Sequence, residues 1–437
     1  MLVLLSLALP LAVAQDCAAT CPPASDLMSI LDDMADEHRR AAEPAPKPEP
    51  EPVRAAPPSV DEDLAHFLAI ERREGATASH MSFLDRGLAS SPWRSEVGRI
   101  PERLAAGPQG VPSGGPTAGE PMPQTGVLPQ HVGALPWLDP AVKNASVVVG
   151  SWDASGALST RWYGRADRVN DQHWSATKHL QALGLASQLN RDHPTLDLGD
   201  LGIRGVADTA VHTTVDDLLQ DIVSYDAGVP RSNGGAHTLG ALQGPAQREQ
   251  RLERWTGHDA DFRGGYGFSP VVTEPRLVGP DGAILIAPPP GPYSTGPNLI
   301  SSYDLTRATA MAAWHAQLSP DQRIPDIQQA SVDSVLTALG EDSARYVDAA
   351  LQRLDLADRV SDVVIASKLG HGIRSATGHA ETVYTAVAQF VVGQGDDARF
   401  HSVVLTLRVE DPDAVRTDAV MAAEVTDLIR RVVDGEL

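Results

Sequence analysis

Residues 173–180 read His-Trp-Ser-Ala-Thr-Lys-His-Leu, so Ser175 and Lys178 stand three positions apart. In the run from Leu180 to Leu189 that follows, apolar residues recur at the i, i+3, i+4 and i+7 spacing that predicts a helix. Residues three apart share one face of a helix, so we expect the Ser175 hydroxyl and the Lys178 amine to meet. A lysine that is desolvated beside another cation can lose its proton and act as the base for a serine nucleophile.

Lysine is scarce in this chain, which makes the pattern more specific. Only Lys47, Lys143, Lys178 and Lys368 are present among the 437 residues. Lys368 comes shortly after the apolar segment 363–366, a predicted strand, and is followed by a leucine and a glycine. The chain therefore contains a Ser-x-x-Lys pair that opens a helix and a Lys-x-Gly tripeptide that follows a strand.

Ser-x-x-Lys, a Ser-x-Asn-like element and Lys-Thr-Gly, in this order, are signatures of the serine β-lactamases and penicillin-binding proteins. The chain resembles this superfamily, and its class A branch most closely, from about residue 135 to the end. The resemblance implies an α/β (α+β) fold, in which an antiparallel sheet is flanked by helices and joined to an all-helical subdomain. Strands are expected at 145–151, 158–164, 363–366, 384–392 and 402–409, and a closing helix at 418–433.

The resemblance also assigns roles to individual residues. Ser175 would be the nucleophile and Lys178 its base, and Lys368 would hold a substrate carboxylate and help to lower the pKa of Lys178. Gly370 would let the substrate lie flat along an edge strand. The backbone N–H groups of Ser175 and His371 would form the oxyanion hole.

Leu369 departs from the family pattern. The family has threonine or serine at this position, and its hydroxyl binds the substrate carboxylate. A leucine removes that donor and adds bulk. His371 and His379 are candidate polar replacements, and each is equally compatible with a solvated loop.

The second signature has two candidates, because neither is a full Ser-x-Asn. Residues 213–223 form a predicted amphipathic helix like the one that leads to this element in the family. Ser224 follows the helix directly, with Asp226 in place of the asparagine. Ser232 and Asn233 come later and open a second helix-like stretch. The position after the helix favours Ser224 by a small margin.

Glu274 lies in Thr-Glu-Pro-Arg-Leu, which resembles the stretch that carries the deacylating glutamate of class A enzymes. The same region also reads as a hairpin, with strands at 271–278 and 283–287 around a Gly-Pro-Asp-Gly turn. The hairpin is the favoured interpretation, and under it Glu274 is an ordinary strand carboxylate.

Composition and the N-terminal region restrict the rest. The net charge of -22 argues against nucleic acid and against anionic membrane surfaces as partners. Residues 1–14 read as a signal peptide, which predicts a secreted or periplasmic protein. Residues 15–130 are rich in proline and glycine, and a disordered, dispensable region with short helices is expected there, including one at 60–74. The folded domain is predicted to span 131–437.

The combined prediction is a secreted serine hydrolase that forms an acyl-enzyme with an amide or ester, such as a β-lactam or a cell-wall peptide. We expect a monomer that acts on a small molecule or peptide, without a cofactor, without a metal and without an integral membrane span. One alternative is a catalytically degenerate relative that binds cell-wall peptide or a protein partner. A second is a class C-like esterase, in which Tyr293 would begin the second signature.

Overall fold

The central element of the fold is a seven-stranded sheet, seen in a computed structural model that describes residues 58–437 except 117, 118 and 292–296. The strands of the described residues, in chain order, are β1 Glu120–Pro121, β2 His131–Ala134, β3 Val142–Trp152, β4 Leu158–Arg165, β5 Asp171–Gln172, β6 Gly202–Gly205, β7 Thr213–Thr214, β8 Asp261–Phe262, β9 Pro275–Val278, β10 Ile284–Ile286, β11 Asn298–Ile300, β12 Val360–Ile373, β13 Ala380–Val392 and β14 Arg399–Asp411.

The α-helices of the same residues lie mostly between β5 and β12 in the chain. They are α1 Pro58–Glu74, α2 Ile100–Ala106, α3 His179–Asp192, α4 Val215–Ser224, α5 Val229–Ala241, α6 Pro245–Thr256, α7 Ser302–Ala313, α8 Gln329–Leu339, α9 Tyr346–Arg353 and α10 Ala414–Val433.

The main sheet has the strand order β1, β4, β3, β14, β13, β12. Neighbours in this order are antiparallel, and β2 adds a short parallel pair on β4. Two smaller sheets, β10-β9-β6-β7 and β5-β11-β8, accompany the helices between β4 and β12. The helical subdomain therefore also contains short strands.

Helices cover both faces of the main sheet. Successive residues of a strand point to opposite faces, so one strand contributes side chains to both layers of the core. On β3, Val147 and Val149 belong to a core that includes α1, α9 and α10, whereas Val148 belongs to a second core that includes α3, α7 and α8. The predicted antiparallel sheet flanked by helices is thus confirmed, as are the succession of its predicted strands along the chain and the closing helix.

Capping residues set the start of α4 and α7. The Thr214 hydroxyl accepts the N–H of Asp217 at 3.0 Å, and the Asp217 carboxylate accepts the N–H of Thr214 at 3.3 Å. Ser301 and Asp304 make the same reciprocal pair at the start of α7. Such a box satisfies N–H groups that the first turn of a helix leaves without partners.

The N-terminal boundary of the folded unit differs from the prediction. The compact unit runs from Pro57 to the end, rather than from residue 131. The predicted helix at 60–74 exists as α1, and it buries Phe67 against Phe83 with the rings edge to face at 5.1 Å. The composition of this region predicted disorder, but a few large apolar side chains hold the otherwise polar segment against the rest of the folded unit. The signal peptide and both cysteines lie outside the described residues.

The region around Glu274 adopts the favoured hairpin interpretation. β9 and β10 pair antiparallel, and the N–H of Gly279 donates to the carbonyl of Ala283 at 2.9 Å to close the turn.

Across the described part of the chain, no helix combines the length and apolar character needed to cross a bilayer.

Candidate active site

Ser175 lies in a 3₁₀ turn, Trp174–Thr177, that leads directly into α3. The N–H of Lys178 donates to the Ser175 carbonyl at 3.1 Å, so both residues of the Ser-x-x-Lys pair stand at the start of one buried helix. Ser175 lines a cleft of about 970 Å³. Trp174, the residue before it, has a φ of 48°, a left-handed conformation that is uncommon for a bulky side chain.

β12 runs so close to this turn that only glycine fits at position 370. A Cβ on Gly370 would lie 2.6 Å from the carbonyl oxygen of His173, 2.9 Å from the nitrogen of Ala176 and 3.1 Å from the nitrogen of Ser175. A Cβ on Gly372 would meet the Trp174 ring at 2.6 Å. The two glycines therefore seat the serine turn against the strand that carries Lys368.

Lys178 is fully buried beside the cleft. Its ammonium donates a hydrogen bond to the Ser232 hydroxyl at 2.8 Å, and the rings of Tyr225 and Tyr266 have their centroids 5.0 and 5.8 Å from Nζ. Burial, together with the positive charge of Lys368, lowers the pKa of Lys178 to about 6. A pKa lowered this far brings the uncharged amine, the form that can accept a proton, within reach near neutral pH.

Lys368 is also buried, and it is surrounded by partners. Its ammonium donates to the Tyr225 hydroxyl at 3.0 Å and to the Leu369 carbonyl at 3.0 Å. A carboxylate oxygen of the buried Asp342 lies 4.0 Å from Nζ, and the Tyr225 ring centroid lies 4.3 Å away. The two lysines of the sequence pattern are therefore brought to one site, where both contact Tyr225.

The structure brings Ser232, rather than Ser224, to the lysine. Ser232 is fully buried, and its hydroxyl accepts from Lys178 and donates to the Ile222 carbonyl at 3.0 Å. Ser224 lines the cleft, where its hydroxyl accepts the N–H of Asp226 at 3.2 Å. The small margin for Ser224 was wrong for contact with the lysine: α5 packs against α4, and Ser232 on α5 is the serine that reaches Lys178.

Tyr225 is a site residue that the sequence pattern did not single out. It ends α4 in a left-handed conformation, with a φ of 62°, and this turn carries its ring over both lysines. Its phenol accepts from Lys368 and lines the cleft. Its position directly after the predicted helix was the one signal in the sequence. From that signal we predicted its neighbours, Ser224 and Asp226, as site residues instead.

A network of charged side chains holds the indole of Trp174 in place. The indole N–H donates to the carboxylate of Glu381 at 2.7 Å, and Glu381 is fully buried on β13. Arg374 donates to the same carboxylate at 3.1 Å and to Asp171 at 3.1 and 3.2 Å. Arg408 contacts both carboxylates as well. Sequence alone did not single out Glu381, because it lies 207 positions from Trp174.

The remaining predicted residues divide into two groups. His371, Asn233 and Leu369 line the cleft, and burial lowers the pKa of His371. Glu274 is exposed at the start of β9 and is not among the cleft-lining residues, so the structure does not support its role as a deacylating base. The cause is the hairpin, which leaves this carboxylate in solvent.

Two further points concern the class C-like signature and possible metal sites. Tyr293, the start of the class C-like signature, lies outside the described residues. Over 58–437, apart from the two short gaps, no three His, Cys, Asp or Glu side chains lie close enough together to hold a metal ion.

Comparisons with known proteins give similarity at the level of solved structures. An ancestral (GNCA) class A β-lactamase is 19% identical, with 66% of this chain and 95% of that chain covered and a TM-score of 0.39. A β-lactamase from Xanthomonas campestris pv. campestris is 16% identical over 77% and 98%, with a TM-score of 0.38. A mutant of the chromosome-encoded β-lactamase of Vibrio parahaemolyticus is 14% identical over 66% and 94%, with a TM-score of 0.37. No family model and no curated protein matches the chain. At this level of similarity, activity has to be argued from the geometry of the site.

Proposed function

We propose that the protein is a serine hydrolase that forms an acyl-enzyme on Ser175, with Lys178 as the general base. The observation that carries this proposal is the state of Lys178. It is buried one helical turn from a cleft-lining serine, and its pKa is lowered to about 6. Such a shift at a cleft is typical of catalytic groups, since a base works best with a pKa near the working pH.

In the first step, Ser175 Oγ forms a bond to the carbonyl carbon of an amide or ester, and its proton passes to the Lys178 amine. The developing oxyanion needs two N–H donors, and the backbone N–H groups of Ser175 and His371 are the candidates. Gly370 supports this role, because it keeps β12 within van der Waals contact of the Ser175 nitrogen.

The bond from the carbonyl carbon to the leaving group then breaks, and the leaving group takes a proton. Tyr225 is the better-placed donor, since its oxygen accepts from Lys368 while its own O–H remains available to the cleft. Ser232 instead donates its proton to the Ile222 carbonyl and acts as the acceptor that holds the Lys178 amine. Water would release the acyl group by the reverse sequence.

The test is hydrolysis of p-nitrophenyl hexanoate, a neutral activated ester. The wild-type protein should release p-nitrophenol above background, and Ser175→Ala should lower the rate to that background. Ser334→Ala is the matched control, because Ser334 lies on α8, bonds Asp197 and does not line the cleft. Equal rates for wild type and Ser175→Ala would favour the alternative of a non-catalytic protein that binds a peptide in the cleft.

We also propose that the protein acts outside the cytoplasm, in the periplasm or after secretion. The apolar run ending in Ala12-Val13-Ala14 supports this proposal. N-terminal sequencing of the protein from its native host should then give Gln15 as the first residue, and a mature protein that retains residues 1–14 would contradict it.

A further inference from the structure

One wall of the cleft comes from the N-terminal part of the folded unit, which we call the N-terminal wall, residues 78–89. Its cleft-lining members are Ala78, Ser79, Met81, Leu84, Asp85, Gly87, Leu88 and Ala89. The buried carboxylate of Asp418 accepts the N–H groups of Phe83 at 2.9 Å and Leu84 at 3.1 Å. The N–H of Gly87 donates to the Ser343 carbonyl at 2.9 Å. These bonds make the wall a fixed boundary of the cleft.

The charged residues that line the cleft are acidic. Asp85 comes from the N-terminal wall, Asp226 follows α4 and Glu341 follows α8. Among the described residues that line it, none is a lysine or an arginine. Burial, followed by the charges of Asp226 and Asp216, raises the pKa of Glu341. A cleft lined by one sign of charge concentrates ligands of the opposite sign.

A separate observation concerns the group that would hold an anionic substrate. The side chain of Lys368 has no exposed area, and its ammonium already contacts the Tyr225 hydroxyl, the Leu369 carbonyl and Asp342. Leu369 presents an apolar side chain to the cleft next to it. A substrate carboxylate would therefore find no free cation at this position, and residue 369 does not supply the hydroxyl that the family pattern has there.

We propose that the cleft selects acyl donors that carry a positive charge, such as an amine or guanidinium group, and disfavours donors that carry a carboxylate. This inference rests on the proposed function, because it specifies the substrate class of the same Ser175 site. The recognition is electrostatic. The cationic group lies against Asp85, Asp226 and Glu341 while its carbonyl reaches Ser175, whereas an anionic group meets three like charges and no lysine or arginine among the described residues that line the cleft.

Three p-nitrophenyl esters with the same leaving group and chain length test this selectivity: those of 6-aminohexanoic, hexanoic and adipic acid. In each, Ser175 Oγ displaces p-nitrophenolate, and the rate of Ser175→Ala is subtracted as background. At low ionic strength, kcat/KM for the aminohexanoyl ester should exceed that for the adipoyl ester at least about 10-fold. The ratio should fall as salt is added, since the carboxylates act partly through solvent.

Variants connect the ratio to the residues. Glu341→Gln and Asp226→Asn should each lower the cation-to-anion ratio, and the double variant should lower it further. Glu62→Gln is the control, because it removes the same charge from an exposed position on α1 that does not line the cleft. It should leave the ratio at the wild-type value.

The outcomes separate this inference from the proposed function. Hydrolysis of the hexanoyl ester by wild type, with equal or faster hydrolysis of the adipoyl ester than of the aminohexanoyl ester, overturns the inference and leaves the hydrolase intact. A ratio that does not change in the Glu341 and Asp226 variants also overturns it. If none of the three esters is hydrolysed above the Ser175→Ala background, the proposed function and the inference both fail.

Discussion

At Lys178, a buried amine beside a second lysine predicts a specific pH dependence. The pKa is lowered to about 6, and the neutral amine is the active base, so kcat/KM should rise with pH through about 6 and then level off. Lys368→Gln should move this midpoint to higher pH, because the charge of Lys368 is one cause of the lowering. Lys178→Arg should lose about 10²–10⁴-fold in rate. A flat profile from pH 5 to 8 would contradict the role of Lys178.

Gly370 is a second residue at which a small change should alter activity, because one added carbon atom would clash with the Ser175 turn. A Cβ at this position comes within 2.6 Å of the His173 carbonyl, so in Gly370→Ala either β12 or the Ser175 turn has to move. A shift of about 1 Å at a catalytic group can cost about 10²-fold, and we expect a loss of that size in kcat. Gly98→Ala serves as the control, since a Cβ there meets nothing within 4 Å. Near-normal turnover by Gly370→Ala would show that the contact with β12 does not position the serine.

Among the elements, α1 and the N-terminal wall are the pair whose removal should matter most. Phe67 and Phe83 are buried, and Asp418 would lose the N–H donors that satisfy its buried carboxylate. Deletion of residues 1–56 should therefore leave the melting temperature unchanged, whereas deletion of residues 1–91 should lower it sharply. Phe83→Ala alone should cost about 3–5 kcal/mol in the free energy of unfolding. Equal melting temperatures for both truncated proteins would show that the fold starts after the wall.

For the whole molecule, the sequence predicts what depends on local pattern. The apolar segments indicate β3, β12, β13 and β14, and the Ser-x-x-Lys spacing indicates the helix start that holds Ser175. Local sequence patterns could not predict contacts between segments that are distant along the chain. Ser232 reaches Lys178 across 54 positions, and the indole of Trp174 reaches Glu381 across 207. The packing of α1 was missed for the same reason, since Phe67 contacts Phe83, which lies beyond the predicted helix, and a local pattern does not show this contact.

The central claim is that Ser175 is an activated nucleophile, and the most direct measurement is to find the atom that reacts. A fluorophosphonate, which needs no carboxylate-binding site, should add one label to the intact folded protein. Tryptic cleavage after Arg168 and Lys178 releases the peptide 169–178, in which Ser175 is the only serine. We expect this peptide to carry the adduct, Ser175→Ala to abolish it, and Ser334→Ala to retain it. An adduct on any other peptide, or a folded protein that takes no label at pH 8, would contradict it.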